Sequence, residues 1–361
     1  MKQGLLILTW FISVAFAVMG QGRGAEVVCG QFLYEQTGFP SCHASTIVQL
    51  DNGDLVAAYF GGRYEGSPDV CIWVSRKAVG AAEWSVPILA ADGVLSDTLR
   101  KACYNPVLQV MPNGELWLFF KIGSCVADWT GWIAKSRDGG LTWGQKMPLP
   151  DGFLGPVKDK AAPMGDRLLC PSSTEKDGWR IHFEILDIKT GRWHKVGPVP
   201  AAMAVTSMDI GKPDAVLQEI MCIQPALLRL SDGSLKVLCR TKNNRLATSV
   251  SCDGGETWSK VTLSDLPNNN SGVDAVTLRD GRHVLVYNPV IAQPGSETGL
   301  RTPLVVALSD DGEHWRDVLT LEDDDCGEYS YPAVIEGRNG HLYITYTWHR
   351  ERIAFREVVL N

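Results

Sequence analysis

The residues best placed to do chemistry are a few charged and phenolic side chains that punctuate long apolar runs. Arg240 ends the run Leu238-Cys239-Arg240, and Arg301 opens Arg301-Thr302-Pro303-Leu304. Guanidinium forks can bind carboxylates in a planar, bidentate way and keep their charge at any working pH. Two carboxyls, Glu65 and Asp69, share the loop Gly61-Gly62-Arg63-Tyr64-Glu65-Gly66-Ser67-Pro68-Asp69, where either could move a proton. Tyr329 and Tyr331 flank Ser330 after Gly327-Glu328, while His43 and Gln224 stand near the starts of two further apolar runs. No CxxC pair or Cys/His spacing suggests zinc, and the reading calls for no metal and no cofactor.

These residues need a scaffold that brings distant segments together, and a repeat supplies it. An apolar strand, a turn with Gly and a second apolar strand recur around Gly53, Gly114, Gly165, Gly233, Gly281 and Gly340. Asn-Gly or Asp-Gly between alternating apolar residues is a hairpin signal, because such turns need positive φ. The hairpins lie 48 to 68 residues apart, which leaves room for two more strands in each unit. The expected fold is all-β: a six-bladed β-propeller with four antiparallel strands per blade, closed in a ring that protects strand edges. Ser136-Arg-Asp138-Gly-Gly140-Leu-Thr-Trp143 and Ser251-Cys-Asp253-Gly-Gly255-Glu-Thr-Trp258 interleave with the hairpins. Ser309-Asp-Asp311-Gly312-Glu-His-Trp315 is one residue shorter, and degenerate forms end at Trp84 and Trp193. In such a motif Asp bonds turn amides, Gly takes the left-handed position and Trp packs between strands.

These motifs resemble the Asp boxes of sialidases and related bacterial neuraminidase repeat propellers, and the resemblance spans nearly the whole mature chain. It assigns the boxes a structural role and implies an active site on the propeller axis. His43 stands where sialidases carry the first arginine of a carboxylate-binding triad, and Arg240 and Arg301 match the second and third. Glu65 or Asp69 matches the acid/base residue, with Glu65 nearer the family position. Tyr329 matches the nucleophile, a neutral phenol that a substrate carboxylate does not repel. The phenol needs a base, and the family's glutamate is replaced here by Gln224, which cannot take a proton. Glu328 could substitute, but adjacent strand residues point to opposite faces. A histidine in the first arginine's place makes part of the clamp pH-dependent.

Other polar residues at corresponding blade ends complete the expected sugar pocket: Arg63, Asn105, Lys121, Glu175, Asp274, Asn288, Tyr331, Trp348 and Arg350. Glu175 and Asp274 are further candidates for acid or base, including an inverting route with Glu65. The leading expectation is an exo-acting glycosidase that removes a terminal sialic or related acidic sugar. Two alternatives stay open: a lyase on uronate-containing glycans using His43 or His182 with Tyr329, and a non-catalytic glycan-binding propeller.

Bulk properties fit a glycan as the partner. The 361 residues are 45% hydrophobic and 21% charged, with a net charge of −7 and no basic run, which argues against nucleic acid and anionic membrane surfaces. Met1-Lys2, the apolar run from Gly4 to Met19 and the small residues after it read as a secretory signal over 1–25. Residues 26–361 then form one soluble catalytic domain, secreted or periplasmic. Ten cysteines allow for disulfides, of which zero to three are expected, since several sit in apolar runs where a free thiol is commoner.

Overall fold

Alternating apolar residues on either side of tight turns form antiparallel strands, and their two faces bury against the neighbouring units rather than against helices. In the computed structural model, which describes residues 24–176 and 178–361, six four-stranded antiparallel sheets follow one another along the chain. The first four hairpin turns are cut by Gly53, Gly114, Gly165 and Gly233, all at positive φ, and the last two by Gly281 and Gly340 in the same conformation. Blades 1 to 5 each use consecutive strands. Blade 6 takes its fourth strand from the start of the chain: Ala25–Phe32 pairs antiparallel with Arg352–Leu360 and closes the ring. Ala25, the last residue of the expected signal, is buried as the first residue of that strand; residues 1–23 lie outside the described residues.

The core divides into six clusters, one at each seam between consecutive blades. One joins Val56, Phe60 and Ile72 of blade 1 to Leu116, Leu118 and Phe120 of blade 2, and the equivalent clusters recur around the ring. The tryptophans that end the Asp boxes pack at these seams. Trp143 lies against the cluster of blades 1 and 2, Trp193 against that of blades 2 and 3, and Trp315 against that of blades 4 and 5. Trp258 stacks on Phe183 of the preceding blade with 3.8 Å between ring centroids. Trp84 fills the seam between blades 6 and 1. The box is thus a spacer that fixes how far one blade stands from the last.

Each box is tied by its own hydrogen bonds. In the first, Thr142 N and Leu141 N donate to Asp138 Oδ1, and Gly140 N donates to Ser136 Oγ at 2.7 Å. The second repeats this with Thr257, Asp253, Gly255 and Ser251, and the third with His314, Asp311, Gly312 and Ser309. Thr142 and Thr257, with the turn amides, hold Asp138 and Asp253 at about 2. Folded-state values below the unfolded one mean that the folded state binds fewer protons, so this stabilisation is complete above about pH 4 and is lost as pH falls through 2. An Asp138→Asn/Asp253→Asn protein is expected to show a shallower loss of stability between pH 4 and 2 than the wild type in urea titrations. An identical slope would remove the boxes as the origin of acid sensitivity.

All ten cysteines are thiols. Cys42, Cys71, Cys103, Cys170, Cys222 and Cys239 are buried, so they act as small apolar side chains in the seams.

Candidate functional site

The innermost strands approach the axis through a shared irregularity. In blades 1, 2, 4 and 6 the pairing of inner and second strand slips by one residue, between His43 and Thr46, Tyr104 and Val107, Ile223 and Ala226, and Ser330 and Ala333. Each slip holds a non-glycine residue in the left-handed region: Ala44 (φ 53°), Asn105 (38°), Gln224 (56°) and Tyr331 (51°); Asn270 (64°) does so just before the inner strand of blade 5. A bulge re-aims a side chain, and left-handed non-glycine backbone costs about 1–3 kcal/mol per residue, so five such corners around one axis mark a built site. In three of them the next residue is proline (Pro106, Pro225, Pro332), which has no N–H to leave unpaired. Aligning these prolines places Tyr331, not Tyr329, in register with Asn105 and Gln224. That was the signal that could have picked the axial tyrosine from the sequence.

Tyr331 is the centre of the site. Arg240 Nη1 donates to its hydroxyl at 2.5 Å, and Gln224 Nε2 approaches it at 3.5 Å. The guanidinium carbons of Arg240 and Arg301 each lie 5.6 Å from its ring centroid, and His43 packs on it at 4.1 Å between centroids. Arg240 is held further by Asn270 and lies over Trp179, while its Nη1 also reaches Gln224 Oε1 at 3.4 Å. Both neighbours of the phenolic oxygen are therefore donors. The Gln224 amide lies at the edge of hydrogen-bond range of the hydroxyl and cannot take its proton.

A third arginine completes the ring, and it is Arg350. It sits in the hairpin between Leu342–Trp348 and Arg352–Leu360, where His349 (φ 51°) and Arg350 (φ 58°) are both left-handed. Such a pair usually calls for Asn or Gly, so the strain is another mark of function. Arg350 Nε and Arg301 Nη1 share Glu328 Oε1 at 2.8 and 2.9 Å, and Arg350 Nη1 bonds Glu65 at 2.6 Å. Glu328 thus pairs with two arginines.

His43 does not form the pH-dependent part of the clamp that the sequence suggested. Its ring is fully enclosed and its nitrogens have no hydrogen-bond partner among the described residues. Burial, reinforced by Arg350, Arg301, Arg240 and Lys158, pushes its pKa well below the ordinary histidine value, so it stays neutral at physiological pH.

Tyr329 occupies a different place from the one expected of a nucleophile. It is wholly buried in the seam between blades 5 and 6, its hydroxyl donates to Asp324 at 2.8 Å, and His349 Nε2 lies 3.3 Å away. Asp69 also stands apart: Ser67 Oγ and Arg63 N donate to it, and those bonds, that of Ser67 foremost, hold its carboxyl below the usual range. It shapes the loop that carries Glu65 and the exposed Arg63. Asp274 is enclosed by Lys160 and Val334 N, and Asn288 donates to the carbonyls of Pro303 and Tyr329. Lys121 is fully buried, is lowered to about 7 by burial, and donates to the carbonyls of Asn105 and Pro156. Asp274, Asn288 and Lys121 brace the inner strands. Trp348 packs with Phe32, Arg352 and His349. Asn105 is buried at the left-handed corner of its inner strand, Ala102–Val110.

Glu175 directly follows the strand Arg167–Thr174 of blade 3. It is half-buried beside Trp179, and burial raises its pKa against the pull of Arg240 and Lys242. With Gln224, Ser173 and His182 it lines a cavity of about 710 Å³ whose far wall holds Trp129, Trp132, Leu149 and Phe153. His182 is bonded to Glu184 at 2.9 Å, so it, His43 and Tyr329 do not assemble into one base–neutraliser pair. Beneath the ring, Lys158 donates to Asp159 and to the carbonyls of Val273 and Pro332, which ties blades 3, 5 and 6 across the axis.

Comparison with known proteins agrees with this architecture. Residues 53–344 match the BNR repeat-like domain. The anhydrosialidase of Macrobdella decora is 26% identical over 151 residues, which cover 37% of this chain and 19% of that protein. A protein of unknown function from Dyadobacter fermentans superposes with a TM-score of 0.71 at 15% identity, over 94% of this chain and all of the other. The NanB sialidase of Streptococcus pneumoniae does so at 0.62 and 15%, over 91% and 70% of the two chains. The leech intramolecular trans-sialidase does so at 0.65 and 14%, over 91% and 69%. With a domain match that runs through all six blades, this chain belongs to the BNR repeat-like domain family and has the sialidase-like propeller fold.

Proposed function

We propose that the chain is an exo-acting glycosidase that removes a terminal sialic or related acidic sugar from a glycan. The observation that carries this reading is a tyrosine hydroxyl bonded to one arginine, with a second arginine near its ring and a third linked to that second one through Glu328, in a sialidase-like propeller. Arg240, Arg301 and Arg350 hold the sugar carboxylate. The Tyr331 oxygen bonds to the anomeric carbon as its hydroxyl proton passes to solvent water, and Glu175 protonates the departing glycosidic oxygen as that bond breaks. The Glu175 carboxylate then takes a proton from a water that attacks the anomeric carbon and releases the sugar, and the departing Tyr331 oxygen regains its proton from solvent. A phenol suits an anomeric carbon that bears a carboxylate, because a charged nucleophile would be repelled there. Glu65, already bonded to Arg350, sets the position of that arginine. The aromatic cavity beside Glu175 offers an apolar wall for one end of the glycan.

One observation favours a second reading, a glycan-binding propeller without turnover: both neighbours of the Tyr331 oxygen are donors and neither can accept its proton. Incubation with a panel of sialosides and uronate oligosaccharides separates the readings. Free sugar is the expected product; an unsaturated, absorbing product marks a lyase, and binding without product marks the non-catalytic propeller. Export follows from the reading of residues 1–25, and N-terminal sequencing of the secreted protein tests it.

Charge-assisted hydrogen bonds contribute about 1.5–3 kcal/mol each, so Arg240→Ala and Arg301→Ala are each expected to lower kcat/KM by about 10- to 100-fold, mostly through KM. Unchanged steady-state kinetics in both variants would rule out the clamp.

A further inference from the structure

The three arginines around Tyr331 are not equally free. Arg240 forms no ion pair among the described residues; its donors go to Tyr331, Gln224 and Asn270. Arg301 and Arg350 instead share one oxygen of Glu328, and Arg350 gives a further N–H to Glu65. The arrangement is fixed through the backbone as well. Tyr329 N donates to Arg301 O at 2.9 Å, and His349 N donates to Glu328 O at 2.8 Å, so both arginine-bearing segments are stitched to residues 328–329. Glu328 keeps 33% of its side chain exposed, beside 20% for Arg301 and 30% for Arg350, so its carboxylate stands at the mouth of the clamp rather than behind it.

We propose that Glu328 is a specificity-determining residue: a carboxylate built into the clamp, occupying the Arg301–Arg350 half and leaving Arg240 as the uncompensated cation. An arriving sugar carboxylate is gripped chiefly through Arg240 and must share the other two arginines with Glu328. A sugar with one carboxylate is accommodated, and a second anionic group, such as a sulfate, meets like charge. This rests on the reading of the site as a binder of carboxylated sugars.

Glu328→Gln is the discriminating change, because the amide keeps an acceptor oxygen for both arginines while the charge is removed. Calorimetric titration with N-acetylneuraminic acid and with its methyl ester, at low and at physiological salt, reads the effect. Removing one like charge from a partly exposed site is expected to tighten binding of the acid by about tenfold at low salt, and less at high salt. The methyl ester is expected to bind both proteins alike. Glu328→Ala, which also removes the acceptor and so loosens Arg301 and Arg350, is expected to lose that gain. Equal or weaker binding of the acid by folded Glu328→Gln, with wild-type binding intact, would overturn this inference alone. Absence of binding to wild type and variant, both folded by thermal melt, would overturn the carboxylate reading of the site and this inference with it.

Discussion

Tyr331→Phe is expected to lower kcat by on the order of 10³-fold or more, whereas Tyr329→Phe retains most of the activity. The two tyrosines are two residues apart on one strand, and both are buried, so a general loss of packing would affect them alike. Their hydroxyls differ in what surrounds them. That of Tyr331 meets Arg240 and Gln224 at the axis, and that of Tyr329 meets Asp324 and His349 in a seam. Removing the Tyr331 oxygen deletes the only atom proposed to form the covalent bond, and no neighbour replaces it. Removing the Tyr329 oxygen leaves Asp324 without one donor and frees His349, which costs stability and loosens the hairpin that carries Arg350. Its effect should therefore fall on KM and on the thermal midpoint. Trapping of a glycosyl adduct, with mass analysis of the peptide that holds residues 329–331, gives an independent measurement. An adduct on Tyr329, or full turnover by Tyr331→Phe, would return the nucleophile to Tyr329 or remove it altogether.

The fold was legible because its signals are local and repeated. Asn-Gly and Asp-Gly turns, two-residue alternation and the Ser-x-Asp-Gly-Gly-x-Thr-Trp boxes each specify a hairpin or a seam from a few adjacent residues. The ring closure in which Ala25–Phe32 completes blade 6 has no such local signal, since it pairs the two ends of the chain. At the site, Arg240 and Arg301 were legible because one lies at the end of the strand Leu235–Thr241 and the other just before the strand Leu304–Ser309, where the sialidase resemblance puts arginines. The choice between Tyr329 and Tyr331 was not legible from two-residue alternation, which ignores the one-residue bulge between Ser330 and Ala333; it takes the register shared by Pro106, Pro225 and Pro332 to make it. Arg350 was legible only as one polar residue among several, and its place in the ring depends on two strained hairpin residues. His43 shows a different limit. Its type suggests titration near neutrality, but four surrounding cations and full burial decide its charge, and all of these come from other blades.

Carboxyl chemistry separates in the same way. Glu65, Asp69, Asp274 and Glu175 are all acids at blade ends, and sequence alone cannot rank them. The structure ties Glu65 to Arg350, Asp69 to Ser67 and the Arg63 amide, and Asp274 to Lys160 and two backbone amides. Of the four, Glu175 is the one that is half-buried beside the cavity adjoining Gln224, and it makes no ion pair among the described residues. A general acid must carry its proton at working pH, and burial favours the neutral form.

Glu175→Gln is accordingly expected to lower kcat by about 10²- to 10⁴-fold on natural glycosides. The sign of the pH effect follows from the direction of the shift. Because burial raises the carboxyl, the wild type keeps its proton to higher pH than a free glutamate would, and its activity falls on the alkaline side as that proton is lost. Glutamine cannot titrate, so the variant's residual rate should be flat across that limb. The size of the loss should depend on the leaving group. A nitrophenolate departs without protonation, so the nitrophenyl glycoside of the same sugar should recover most of the wild-type rate, while an oligosaccharide should not. Glu65→Gln offers the contrast: it removes a partner of Arg350 and should act through KM, with the alkaline limb intact. If Glu175→Gln cleaves oligosaccharides at the wild-type rate while Glu65→Gln loses both the rate and the limb, the proton donor is Glu65, and the loop of blade 1 must release Arg350 before the chemical step.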